Sequence, residues 1–216
     1  MNESKYIAVE GPIGVGKSSL ARLLSERFGA RLELEDIEAN PFLKGFYRDR
    51  KELAFKTQLF FLLSRYHRQQ QLWQQELFNR LLVSDYLFAK DLIFAYLNLD
   101  DHELSLYERI YKLLEPRVVK PDLVIYLQAD TEVLMKRVRK RNYLFERELD
   151  PDYLERVRQG YNSFFFHYHE TPLLIVNTTE IDFVENKEEA DRLIKEISSM
   201  NKGTLYFNPL RSSFLD

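Results

Sequence analysis

The chain of 216 residues contains no cysteine. That excludes disulfides, thiolate metal sites and a cysteine nucleophile, and it suits a reducing compartment. No apolar run approaches the roughly 20 residues of a membrane span. The opening Asn2-Glu3-Ser4-Lys5 is polar and leads at once into an apolar run, which leaves no room for a signal peptide. The expectation is a cytoplasmic protein with no membrane partner. Charge of one sign is not in excess either: 31 Lys and Arg face 34 Asp and Glu, for a net charge of −3. A nucleic-acid coat needs a basic surface, so nucleic acid is not an expected partner. There is no internal repeat, low-complexity tract or linker. With 45% hydrophobic and 30% charged residues, the sequence reads as one soluble domain spanning 1–216. His67, His102, His167 and His169 lack metal-ligand spacing.

What is present begins at residue 11. Gly11-Pro12-Ile13-Gly14-Val15-Gly16-Lys17-Ser18 fits the phosphate-loop pattern G-x-x-x-x-G-K-[ST] without mismatch. Tyr6-Ile7-Ala8-Val9 before it reads as a strand. The stretch 19–28 after it reads as a helix that Gly29 can stop. Glycines let the backbone curl with its N–H groups inward, and the helix N-terminus adds partial positive charge. Gly11 through Ser18, with Ser19, are therefore the candidate nucleotide-binding residues. Lys17 reaches the terminal phosphates, and Ser18 can ligate Mg²⁺.

Short apolar runs at 6–10, 31–35, 81–84, 123–127 and 173–176 read as strands buried on both faces of a parallel sheet. Helical patterns lie at 17–28, 52–78, 87–98, 102–115, 131–141 and 151–168. The alternation predicts a three-layer α/β fold with a five-stranded parallel sheet and ligands at the carboxyl ends of its strands. The segment 55–66 is apolar nearly all round and is expected to be buried on several sides, against the sheet, the site and a second subunit. The aromatic run 161–168 is expected to fill core or a dimer contact.

The base-reading Asn-Lys-x-Asp and the Asp-x-x-Gly of GTPase switches are absent; Asn186-Lys187-Glu188-Glu189 is the nearest string. Small-molecule kinases and other ATPases remain. Leu81-Leu82-Val83-Ser84-Asp85 is an apolar strand ending in a carboxylate, so Asp85 is a Mg²⁺ candidate; a helix cap is its other reading. Glu35 ends the second strand pattern, across the strand ends from the phosphate loop. A kinase acting on a hydroxyl gains from a base there, whereas a phosphate acceptor would be repelled by Glu35 and Glu38. Glu38 reads equally as a solvated turn residue. Lys136-Arg137-Val138-Arg139-Lys140-Arg141 is the one strong basic cluster. Arg137 and Arg141 share a helix face, where they can clamp a phosphoryl group or simply end a basic helix.

These residues, taken together, resemble the deoxyribonucleoside kinases, specifically the bacterial deoxyguanosine/deoxyadenosine kinase branch. The motifs run in order: Glu-Gly-Pro-Ile-Gly-Val-Gly-Lys-Ser at 10–18, Glu35-x-x-Glu38 with Asn40-Pro41-Phe42-Leu43, Phe46-Tyr47, Gln58 with Ser64-Arg65, Ser84-Asp85-Tyr86, the stretch 121–127, and Arg137-x-x-x-Arg141. The resemblance implies a P-loop kinase fold with a lid near 137–150. It implies transfer of the ATP γ-phosphate to the 5′-hydroxyl of a deoxynucleoside, deoxyadenosine or deoxyguanosine with deoxycytidine as the further option, with Mg²⁺, in a homodimer. Glu35 is implied as general base, Tyr47 and Glu146 as the pair on the sugar 3′-hydroxyl, and Gln58 as reader of the base edge. Arg65 is implied as its helper, and Arg137 and Arg141 as lid arginines. Two departures stand out. Many members carry an arginine after the metal-strand carboxylate, where this chain has Tyr86, and a further lid arginine aligns with Tyr143. A thymidylate kinase-like monophosphate kinase and a non-catalytic nucleotide-binding module are the alternatives.

Overall fold

Tyr6, Ile7, Ala8 and Val9 are all buried, and this apolar run forms β1 (Tyr6–Glu10), the centre of the molecule. The computed structural model describes residues 6–74 and 81–208. Six strands form one all-parallel sheet in the order β2-β3-β1-β4-β5-β6. The others are β2 (Arg31–Glu33), β3 (Leu82–Ser84), β4 (Leu123–Gln128), β5 (Leu173–Asn177) and β6 (Thr204–Phe207). Strands β1, β3, β4 and β5 are continuous apolar runs because helices cover both faces of the sheet. The helices are α1 (Lys17–Phe28), α2 (Leu43–Phe46), α3 (Arg50–Gln74), α4 (Lys90–Asn98), α5 (Asp101–Leu114), α6 (Thr131–Arg141), α7 (Pro151–Phe166) and α8 (Lys187–Ser199).

The expected α/β fold is present, with one strand more than the five anticipated. The sixth, β6, pairs with β5 from Leu173↔Thr204 to Val176↔Phe207. Its first three residues are exposed, so it carries no buried apolar signal. Helix α8 was not anticipated either, although Asn186 caps it by accepting from Glu188 N and Glu189 N. Strand β2 stops at Glu33 rather than at residue 35. The chain leaves the sheet there because Glu35 N–H donates to Asp85 Oδ1 at 2.7 Å instead of to a neighbouring strand.

Two expectations about packing need qualification. The 55–66 stretch of α3 is not buried all round: Leu63 is 47% exposed, whereas Thr57, Gln58 and Arg65 are buried. The buried stripe of this helix is therefore partly polar, and it faces the site. Residues 75–78 of the expected 52–78 helix lie outside the described residues. In the aromatic run, Tyr161, Phe165 and Tyr168 enter the core, with Phe165 stacked on Tyr126 at 4.2 Å between ring centroids. Phe166 of the same run is 74% exposed.

Candidate active site

The loop after β1 turns tightly enough that glycine is required. Gly14 has φ +84°, and a Cβ there would stand 2.8 Å from Leu134 O and 2.8 Å from Val138 Cγ2. Gly16 has φ +108° and stands at the N-terminus of α1, with the Phe183 ring over it. Lys17 Nζ bends back and donates to Gly11 O at 2.7 Å and Pro12 O at 3.1 Å. Burial lowers the pKa of Lys17 to about 8, against the opposing pull of Glu10. Its ammonium therefore sits inside the cradle that the glycines form, where a phosphate would gain both the charge and the loop N–H groups.

Asp85 follows β3 and joins the two halves of the site. Its Oδ2 accepts from the Ser18 hydroxyl and its Oδ1 from Glu35 N–H. Ser18 and Asp85 thus present two adjacent oxygens, one of them from a carboxylate. That donor set fits Mg²⁺, which takes few protein ligands when phosphates supply the rest.

Glu35 is held by two cations. Its Oε1 accepts from Arg65 Nε at 2.6 Å and also meets a terminal Arg65 nitrogen; its Oε2 accepts from Lys90 Nζ at 2.7 Å. Burial pushes this carboxyl upward, but Arg65 and then Lys90 overcome that and bring its pKa down to about 2. Arg65 also pairs with Asp91, which is fully buried, and Lys90 lies 3.6 Å from Glu10. Glu10 in turn accepts from Gly11 N at 2.7 Å and Leu87 N at 3.0 Å. One chain of alternating charge therefore runs from the phosphate loop, through Glu10, Lys90, Glu35 and Arg65, to Asp91.

A cavity of about 240 Å³ opens beside this chain. Lys17, Ser18, Glu35, Tyr47, Gln58, Arg65, Asp85, Arg141 and Glu146 all line it. Apolar walls come from Leu43, Phe46, Phe61 and Phe94. Gln58 is 4% exposed, and its amide has no protein partner among the described residues. Burial, Tyr153 and Glu146 raise the pKa of Tyr47, which keeps it a neutral donor. Arg141 forms a fork on the buried Glu146, with Nε 3.2 Å from Oε2 and a terminal nitrogen on Oε1. Asn142 makes this possible: it ends α6 in the left-handed region at φ 57°, so the chain folds back on itself.

A second cavity, of about 440 Å³, lies on the outer side of the phosphate loop. Gly14 to Ser19 line it together with Arg22, Arg137, Arg141 and the 181–185 loop. The two arginines expected at the lid part company here. The Arg137 guanidinium donates to Thr178 O at 2.8 Å, Thr178 Oγ1 at 3.0 Å, Ile181 O at 3.2 Å and Val15 O at 3.3 Å. Of these two cavities Arg137 lines the outer one, whereas Arg141 lines both.

A family model described as "Deoxynucleoside kinase" matches residues 7–202. This chain belongs to the deoxynucleoside kinase family. A deoxyguanosine kinase of Bacillus subtilis (strain 168) is 35% identical over 205 residues, covering 93% of this chain and 99% of that protein. A deoxyadenosine kinase of Lactobacillus acidophilus is 33% identical over 207 residues, covering 89% of this chain and 94% of its own length. The deoxyadenosine kinase of M. mycoides with bound dATP superposes with a TM-score of 0.79 at 25% identity. That match covers 90% of this chain and all of the other.

Lys90 and Asp91 belong to none of the sequence motifs, and Glu10 only to the phosphate-loop motif. Lys90-Asp91 heads the otherwise apolar α4, and Glu10 ends the apolar β1. Charges at the ends of buried apolar elements are the signal that could have found them, since such charges are seldom buried unless paired.

Proposed function

We propose that this deoxynucleoside kinase transfers the γ-phosphoryl group of ATP to the 5′-hydroxyl of a deoxynucleoside, with deoxyguanosine and deoxyadenosine preferred. One observation carries this reading: Glu35, held between Arg65 and Lys90, faces the same cavity as Lys17 and Ser18. A carboxylate at that point accepts a hydroxyl proton and repels a phosphate acceptor. The names of the two bacterial relatives support the purine preference. The amide of Gln58 offers a donor and an acceptor to a base edge, which suits adenine, guanine or cytosine alike. Arg65 orders Glu35 and flanks the base slot.

In the reaction the 5′ O–H bond breaks and its proton passes to Glu35. A new P–O bond forms to the 5′ oxygen as the bond from the γ-phosphorus to its bridging oxygen breaks, and ADP leaves. Lys17 and Arg141 balance the charge that develops on the transferring group. Arg141 is suited to this because it reaches both cavities. Arg137 adds its charge from the donor side and braces the loop against residues 178–181. Tyr47 and Glu146 take the sugar 3′-hydroxyl. Ser18 and Asp85 are the residues that would hold Mg²⁺, which neutralises charge on the donor phosphates when bound.

We infer a homodimer as well, supported by the exposed Leu63, Tyr96, Leu106 and Leu113 on α3, α4 and α5. A cytoplasmic location fits this reading. Among the described residues no helix is long and apolar enough to cross a membrane.

The test is product analysis. The protein is incubated with ATP, Mg²⁺ and each of the four natural deoxynucleosides, and products are separated and their phosphorus spectra recorded. The expected result is a 5′-monophosphate, formed fastest from deoxyguanosine or deoxyadenosine. ATP binding without turnover of any nucleoside would contradict the proposal and favour a binding module.

A further inference from the structure

Tyr86 occupies the position after Asp85, and it brings no cation to the site. Its side chain is fully buried, and its hydroxyl has no partner among the described residues. The charge comes instead from a residue that the chain reaches by a turn. Lys90 N donates to Leu87 O at 3.1 Å, and the turn delivers Lys90 to the first position of α4. Its side chain is 4% exposed, yet it lines the acceptor cavity. Burying a lysine is costly unless it is paired, and this one is paired twice, with Glu35 Oε2 at 2.7 Å and Glu10 Oε1 at 3.6 Å.

The two oxygens of Glu35 are not equivalent. Oε1 accepts from Arg65 Nε and also meets a terminal nitrogen of the same guanidinium, so this oxygen faces Arg65. Oε2 receives Lys90 alone among the described residues, so one of its lone pairs is open. Glu10 fixes Lys90 from the other side, and Glu10 is itself locked by the N–H groups of Gly11 and Leu87. The direction of the open lone pair is therefore set by a rigid chain that starts at the phosphate loop.

We propose that Lys90 is a positioning residue for phosphoryl transfer: anchored on Glu10, it orients Oε2 of Glu35 as the atom that takes the 5′-hydroxyl proton. This rests on the kinase reading above and deepens it. Arg65 holds the carboxylate in place, and Lys90 decides which of its atoms works. The charged groups facing Glu35 are Arg65 from α3, Lys90 from α4 and Asp85 at the end of β3. The Tyr86 and Tyr161 hydroxyls stand nearby.

The experiment compares Lys90→Met and Lys90→Arg with the wild type in steady-state kinetics across pH. Lys90→Met is expected to lower kcat by about 100-fold or more, the loss typical of removing one oriented donor. The KM for the nucleoside should stay within about 3-fold, because uniform binding is not what is lost. The acid limb of kcat should move to higher pH, since a carboxylate that loses a cation titrates higher. Lys90→Arg should recover most of the rate. Where Lys90→Met does not fold, Glu10→Gln/Lys90→Met is measured against Glu10→Gln alone, with the same expectations. Two results would overturn the proposal. One is a folded variant lacking the Lys90 ammonium whose kcat stays within about 3-fold of its reference, well below the loss for an oriented donor. The other is equal losses in Met and Arg variants with an unmoved acid limb, which marks a packing role. A wild type that phosphorylates no nucleoside would instead remove the kinase reading itself.

Discussion

Glu35→Gln lowers kcat by about 10²–10⁴-fold with little change in the KM for nucleoside or ATP: this is the expected result, and its size is that of a lost general base. The amide keeps the volume of the carboxylate and can still accept from Arg65, so the cavity keeps its shape. What disappears is the ability to take the hydroxyl proton. Arg65 keeps Asp91 as a partner and Lys90 keeps Glu10, so the fold should survive. Steady-state kinetics on the purified variant, with thermal unfolding as the folding control, decides it. A loss smaller than about 10-fold, below the range of general-base catalysis, would show that Glu35 does not accept the proton.

Arg65→Met is expected to cost about 3–5 kcal/mol of stability, the range for breaking a buried ion pair from one side. Asp91 is fully buried and the Glu35 side chain is 13% exposed, so both would be left with charge and too few partners. For a domain of this size the loss corresponds to roughly 6–20 °C in the unfolding midpoint. The pH dependence should change with it. The pKa of Glu35 lies near 2, below its ordinary value of 4.5, so the folded state binds fewer protons there than the unfolded state. Its stabilisation is complete above about pH 4.5 and is lost as pH falls toward 2. In Arg65→Met this acid-side loss should shrink, because the cation that contributes most to the lowering is gone. Unfolding curves of both proteins between pH 3 and 7 would show it; parallel curves would contradict the assignment.

Much of this site could be read from the sequence for a physical reason. A phosphate loop needs its glycines at fixed spacing, and a parallel strand buried on both faces needs an unbroken apolar run. A carboxylate closing such a run, as at Asp85, then stands out. The same pattern points to Glu35 although β2 ends earlier, at Glu33. Spacing alone could not separate Arg137 from Arg141. Four residues apart, they share a helix face, but one guanidinium is taken up by the carbonyls of Val15, Thr178 and Ile181, and the other turns to Glu146. Those partners come from distant segments that no local pattern announces. Lys90 was missed for a related reason: only the fold brings Glu10 and Glu35 together around it. Strand β6 was missed because exposed edge residues carry no burial pattern. Helix α8 carries its signals locally, in the Asn186 cap and the amphipathic repeat of Lys187–Ser199.

The central claim is that the acceptor is a hydroxyl, taken by a carboxylate that repels phosphate. The most direct measurement sets deoxyguanosine and deoxyadenosine against dGMP, dAMP and dTMP as acceptors, with ATP and Mg²⁺ in the same assay. The account predicts rapid conversion of a deoxynucleoside to its 5′-monophosphate and no turnover of any monophosphate to a diphosphate. Diphosphate formation with the nucleosides untouched would contradict it and make the chain a monophosphate kinase.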